Sequence, residues 1–338
     1  MTLARGRLLT ALVGLVGVMQ PACCRQVRRY PVPGPADLIG AVRKANVQPR
    51  SMRAKVTADQ RTKKGRLKAT VYLLAHRRGG LRMEATVLDN TVAVLTSDGQ
   101  KFFSIDFKRK VVYLGPAKPC NIARIFGIPL RPGQVAMVLM GGMPLLVHGS
   151  ARVSWDRCRG MDVLALRNDA EGLEQKIWIR RVRGRWRVER SQVRDGKGRR
   201  LLSIEFKHFV VRAGSWMPTW IRYVQPAAGT DVLLRYRKVE ADVVIPQDAY
   251  RIDPPAGYPV RWLDCRDSAR LPFEKSLEGS VGSKRNGRPP AAAVEGEMQQ
   301  VRDRSGGVSA PAKAQQARRE QGGGQGAAPS SPREEKEQ

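Results

Sequence analysis

"TVAVLTSDGQKFFSIDFKRKVVYLG", from Thr91 to Gly115, decides the fold. Asp98-Gly99 is a strong hairpin signal, because a two-residue turn needs left-handed backbone that Gly and Asp tolerate. Lys108-Arg109-Lys110 marks a second turn. The breaks leave three short strands. Side chains alternate across a strand, so Phe103, Ile105 and Phe107 share a face.

The alternation continues on both sides of this stretch. "MRAKVTA" (52–58) opens the block, and "RLKATVYLLAH" (66–76) follows. The second places Leu67, Ala69, Val71 and Leu73 on one face, with Lys68, Thr70 and Tyr72 on the other. "LRMEATVLD" (81–89) sets Leu81, Met83, Ala85 and Val87 against Arg82, Glu84 and Thr86. Downstream come "MDVLALRN" (161–168), "EQKIWIRRVRGRWRVERSQVRD" (174–195), "RRLLSIEFKHF" (199–209), "TWIRYVQ" (219–225) and "TDVLLRYRKVEAD" (230–242). So long an antiparallel run with one apolar face must curl. It either closes into a barrel or wraps around something that covers that face.

Helices supply the cover. Asp37 to Ala45 reads as an amphipathic helix with Leu38, Ile39, Ala41 and Val42 inward. Between the strand blocks, "CNIARIFGIPLRPGQVAMVLMGGMPLL" (120–146) reads as two helical pieces. Ile122, Ile125 and Phe126 form a stripe that stops at Gly127. Pro132 opens the second piece, Val135, Val138 and Leu139 have helical spacing, and Gly141-Gly142 ends it.

The chain ends differ in character. Arg5 and Arg7 precede an apolar run, Leu8 to Met19, that is short of the ~20 residues needed to span a bilayer. Ala22 then precedes Cys23. The segment resembles a bacterial lipoprotein signal, which implies removal of residues 1–22, a lipid on Cys23 and a spacer to residue 35. Ordinary cleavage after Ala22, giving a soluble periplasmic protein, and a buried first helix are the alternatives. Residues 266–338 carry few large apolar side chains and are expected to be a disordered tail. One domain, 36–265, remains, long enough to bury a substantial core.

The formal net charge is +31. Such a surface suits anionic partners, namely acidic headgroups, lipopolysaccharide phosphates or nucleic acid, and export makes nucleic acid the poorest fit. The cysteines are Cys23, Cys24, Cys120, Cys158 and Cys265, with no Cys-x-x-Cys pair, so a zinc or redox site has no support. An oxidising compartment permits disulfides, but the pairing is not readable.

The order of these pieces resembles the outer-membrane lipoprotein-sorting superfamily, the LolA/LolB-like proteins. The likeness rests on "DLIGAVRKAN", "MRAKVTA", "LRMEA", "TSDGQKFFSID", "GIPLRPGQVAMVLMGGMPL" and "YRIDPPAGYPV", and lies nearest the branch of LolB-like lipoproteins of unknown function. It implies an α+β fold: an incomplete antiparallel β-barrel of about eleven strands wrapped around a helical lid, with acyl chains held between. It also implies a carrier or chaperone role in lipoprotein localisation or transport at the periplasmic face of the outer membrane. The receptor member's exposed apolar loop has no counterpart here, since the matching turns, "HRRGG" and "LDNT", are short and polar.

An acyl site needs concave apolar surface left partly unfilled. Its expected lining is Val71, Leu73, Met83, Val87, Phe103, Ile105, Ile177, Ile179, Ile204, Phe206 and Leu234, with Met137, Val138 and Met140 on the lid helix. The competing reading is that these side chains fill an ordinary core. "MGGMPLLVHG" (140–149) reads either as a mobile lid edge or as a buried connection. "IRRVRGRWRVER" (179–190) places Arg181, Arg183, Arg185 and Arg187 around Gly184, beside Trp178 and Trp186. Arginine pairs with phosphate and tryptophan suits the headgroup interface, so these four are candidates for contact with an anionic membrane; a solvated charged face is the alternative.

Catalysis has little support. His76, His148 and His208 stand apart from any nucleophile motif, and no phosphate-cradling glycine loop or metalloprotease motif occurs. The expectation is a monomeric, non-enzymatic binding protein with no cofactor, no metal and no nucleic-acid partner. A stress-sensing or envelope-interaction module of the same fold is the alternative.

Overall fold

The computed structural model describes residues 26–63, 65–265, 276 and 277. The expected signal peptide, the Cys23 lipidation site and all of the tail but two residues lie outside that range. Helix α1 (Pro35–Val47) leads into β1 (Ser51–Thr62), β2 (Gly65–His76), β3 (Gly80–Val87), β4 (Asn90–Asp98), β5 (Lys101–Asp106) and β6 (Val111–Pro116). Helices α2 (Pro119–Phe126) and α3 (Pro132–Leu139) follow. The second block is β7 (Ser150–Asp156), β8 (Met161–Asn168), β9 (Leu173–Val182), β10 (Arg185–Asp195), β11 (Arg200–Arg212), β12 (Ser215–Gln225) and β13 (Thr230–Ala241). A 3-10 turn (Gln247–Tyr250) and β14 (Val260–Trp262) complete it.

All of these strands form one 14-stranded open sheet, in the order β14-β6-β5-β4-β3-β2-β1-β13-β12-β11-β10-β9-β8-β7. The sheet is antiparallel except where β14 lies parallel to β6. Strand β1 is the hinge of the topology: it pairs with β2 on one side and with β13 on the other, so two meanders run outward from it. The sheet thus stays open, as the expected incomplete barrel does, with fourteen strands in place of about eleven. The two edge strands, β7 and β14, had no reading in the sequence.

Register shifts at Lys55/Val56, Ala85/Thr86, Val188/Arg190 and Val193/Arg194 increase the local twist and help the sheet coil. The concave face is apolar. Across its centre, Ala54 pairs with Leu73, and Leu73 with Met83; further along, Ala58 pairs with Leu234, and Leu234 with Ile221. The convex face carries charged pairs such as Arg53–Glu240, Arg66–Asp59 and Arg222–Asp231.

Two helices and a connecting segment fill the concavity. Pro35 starts α1, and the Asp37 carboxylate accepts the Gly34 N–H at 2.9 Å. Leu38 and Val42 go into the core, against β7, β8 and β10. Helix α3 lies over β2 and β3 and buries Val135, Val138 and Leu139. Met140, Met143, Leu145 and Leu146 are buried, so "MGGMPLL" is an interior connection.

Two side-chain amides pin that connection. Asn46 exchanges both of its amide hydrogen bonds with the Met143 backbone, at 2.8 and 2.7 Å. Gln175 Oε1 accepts the Leu146 N–H at 2.7 Å, and its Nε2 donates to the Pro144 carbonyl at 2.9 Å. Leu277 forms an isolated bridge to Leu146 and is buried.

Candidate functional site

The structure distributes the expected lining residues among three environments. Val71, Leu73, Val138, Met140, Ile177, Ile179, Ile204, Phe206 and Leu234 belong to the packed core, and Met83 and Val87 pack against it. Met137 is half-buried at the edge of α3, near Gly142. Phe103 and Ile105 lie on the convex face. Phe102 is the β5 residue in the core, and its neighbours necessarily point the other way. On that face Ile105 is buried and Phe103 half-buried: Phe103 pairs with Leu114 and Ile105 with Val112, and Ile245, Tyr250 and Arg251 of the returning chain share a cleft with Phe103. The centre of the hollow is therefore occupied by protein.

Open space remains at one end of the concave face. A cleft of about 720 Å³ lies between α2 and the far ends of β1, β2, β12 and β13. Its apolar walls are Leu67, Ile125, Ala123 and Pro129; Gln60, Thr62, Gln225 and Thr230 supply polar contacts, and Lys63, Arg66 and Arg124 lie around it. Leu67 is on the inward row, opposite Gln60, and is 46% exposed.

Helix α2 is held rigidly over this cleft. Cys120 on its first turn is disulfide-bonded to Cys265. Asn121, with no exposure, donates Nδ2–H to the carbonyls of Pro116 and Leu263 at 2.8 and 3.1 Å, and its Oδ1 accepts the Cys265 N–H at 3.0 Å. Gly127 ends the helix with φ +71°, and a side chain there would press on Gln60 and Thr230 across the cleft.

A second cleft, of about 620 Å³, sits on the convex side between β2–β5 and the returning chain, lined by His76, Arg78, Lys101, Phe103, Leu114 and Tyr250 among others. Burial, then Arg78 and Arg50, push His76 below the usual imidazole range. His148 lies against the Leu146 carbonyl at 2.8 Å, and His208 is in β11, so the three histidines stand on separate elements. Among the described residues no group of three His, Cys, Asp or Glu side chains is placed to hold a metal.

The four arginines do not share one surface. Arg181 faces Trp186 across the β9–β10 pair and stacks on its ring at 5.4 Å and on Tyr30 at 5.0 Å. Arg187 is on the other face, paired with Glu189 at 2.5 Å and lying 4.2 Å from the Phe209 ring centre. Arg185 donates to the Gly214 carbonyl, and Arg183 is exposed on the turn. Strand alternation separates Arg181 from Arg187 across the sheet.

No helix among the described residues is long and apolar enough to cross a membrane. No family model and no curated protein matches the chain. Solved structures are similar to it in layout. A LolA superfamily protein of Nitrosomonas europaea is 12% identical, covering 65% of this chain and 99% of that one, with a TM-score of 0.46. A DUF1329 family protein of Desulfovibrio piger is 13% identical over 64% of this chain and 95% of that one, TM-score 0.44. A domain described as an outer membrane lipoprotein-sorting protein, from Vibrio parahaemolyticus, is 10% identical over 63% and 94%, TM-score 0.42. At this distance the likeness is one of layout, and what the protein binds has to follow from its own residues.

Proposed function

We propose that this is a cell-envelope lipoprotein, anchored through Cys23 at the periplasmic face of the outer membrane, that binds an acyl chain of a lipid or lipoprotein. The acyl chain enters the cleft under α2 rather than the centre of the concave face. Leu67 carries the reading: an inward-facing apolar side chain left half in water, in a cleft whose opposite wall is Ile125 on a helix fixed by a disulfide. Each methylene transferred from water contributes about 0.8 kcal/mol, so a chain of some ten carbons could supply several kcal/mol after ordering costs. Lys63 and Arg124 at the cleft suit the anionic end of such a ligand. Non-directional apolar recognition also explains why no sharp motif marks the site.

Titration of the protein with a fluorescent fatty acid tests this. Wild type should show saturable enhancement, and Leu67→Glu should weaken it at least tenfold while leaving thermal unfolding unchanged. Equal uptake by both proteins would refute the assignment.

A further inference from the structure

The first described residues are locked onto one end of the sheet. The Gln26 N–H donates to the Arg157 carbonyl at 2.9 Å, and Trp155 Nε1–H donates to the Gln26 carbonyl at 2.7 Å. Arg28 donates twice to Asp162 Oδ1, at 3.0 and 2.6 Å, and Tyr30 Oη–H donates to Asp162 Oδ2 at 2.8 Å. The Asp162 side chain has no exposure. Arg28 lies 4.9 Å from the Trp155 ring centre, and Tyr30 packs edge-on against Trp155 and Trp186. A passive spacer would need none of this.

Among the described residues, the acids at this end are engaged within the protein. Asp162 holds the clamp. Asp156 takes Arg159 at 2.9 Å and the Trp178 indole at 3.0 Å. Glu189 takes Arg180 at 2.8 Å and Arg187 at 2.5 Å. Arg29, Arg157 and Arg183 are exposed and have no acidic partner among the described residues. Beside them Val27 is 73% exposed and Val32 70%.

We infer that this end is a docking surface for an anionic phospholipid bilayer. Its unopposed guanidinium groups match phosphate, and its half-buried tryptophans suit headgroup depth. The match of charge stands without a lipid on Cys23. With that lipid, which rests on the proposed function, the orientation is fixed as well. Cys23 precedes Gln26 by three residues, a reach of at most ~10 Å, comparable to a Debye length. The docked end would then lie against the bilayer. Strand β12 runs from Ser215, next to the Gly214 carbonyl that Arg185 holds, to Gln225 in the α2 cleft. Its 11 residues span about 35 Å. The cleft would thus open away from the bilayer, toward a partner arriving from solution.

Cosedimentation with phosphatidylcholine vesicles containing phosphatidylglycerol tests the surface. Two full-length variants lose the same charge: Arg29→Gln/Arg157→Gln/Arg183→Gln at the docked end, and Arg61→Gln/Lys68→Gln/Lys197→Gln at the other. The first should lose at least tenfold in vesicle affinity, and the second should stay within twofold of wild type. Equal losses, a larger loss in the second, or no vesicle binding by wild type would overturn the inference. Fatty-acid uptake by the same variants reports separately on the cleft.

Discussion

Cys120 on α2 and Cys265 just past β14 are bonded across a sequence separation of 145, with their Cα atoms 6.1 Å apart. The bond joins the roof of the cleft to the edge of the sheet. Closing a loop of that length restricts the unfolded chain by about 5 kcal/mol in the chain-entropy model. A Cys120→Ala/Cys265→Ala variant should therefore lose several kcal/mol in chemical denaturation, and reductant should bring wild type down to meet it. A reductant-insensitive midpoint in wild type would count against the bond.

The Arg28–Asp162 clamp gives a second expectation. Asp162→Ala leaves the Arg28 guanidinium and the Tyr30 hydroxyl in a poorly solvated site without their acceptor. Removing one partner of a buried pair costs about 3–5 kcal/mol. Burial, then the hydrogen bond to Asp162, hold the Tyr30 phenol above its ordinary range. Ultraviolet titration should show that phenol ionising at lower pH in the variant than in wild type. A loss below about 1 kcal/mol would mean that the segment is only loosely attached.

Core and cleft should separate on mutation. Phe206 is buried in the core between the flanking strands, and truncation to Ala should cost about 3–5 kcal/mol. Fatty-acid affinity should change little while the variant stays folded. Leu67→Glu should do the reverse. If Phe206→Ala raised acyl uptake strongly, the ligand would be using the centre of the hollow instead.

Acid should destabilise the protein in a defined window. Hydrogen bonds from Arg66 hold Asp59 down to about 2, and hydrogen bonds from Arg53, then Lys238, lower Glu240. The unfolded chain binds protons at these groups near pH 4, so their stabilisation is complete above that and is lost as pH falls toward 2. An Asp59→Asn/Glu240→Gln variant should show a shallower fall in urea midpoint between pH 4 and 2, with the slope above pH 5 unchanged. An identical slope in that window would contradict the assignment.

Local signals were legible and long-range ones were not. Asp98-Gly99 ends β4 as its composition demands, with Gly99 at φ +100°, and Gly127 and Gly141 end their helices with positive φ. Alternation locates two faces of β5 but not which one is inside, because both carry apolar side chains with little exposure: Phe102 in the core, Ile105 buried and Phe103 half-buried on the opposite face. The same limit applies to Arg181 and Arg187, whose neighbours come from other strands. "SARVSWD" does alternate, with Ala151, Val153 and Trp155 on one face, and that signal could have found β7. Three-residue β14 has no periodicity to read. The disulfide and the Arg28–Asp162 clamp join residues more than a hundred positions apart, and no local pattern encodes them.

The most direct test of the acyl site is photocrosslinking with a diazirine-bearing fatty acid, mapped by peptide mass spectrometry. Adducts are expected on the β1–β2 turn region around Leu67 and on α2 around Ile125. Adducts confined to the convex cleft near Phe103 and Tyr250, or to the core strands, would contradict it.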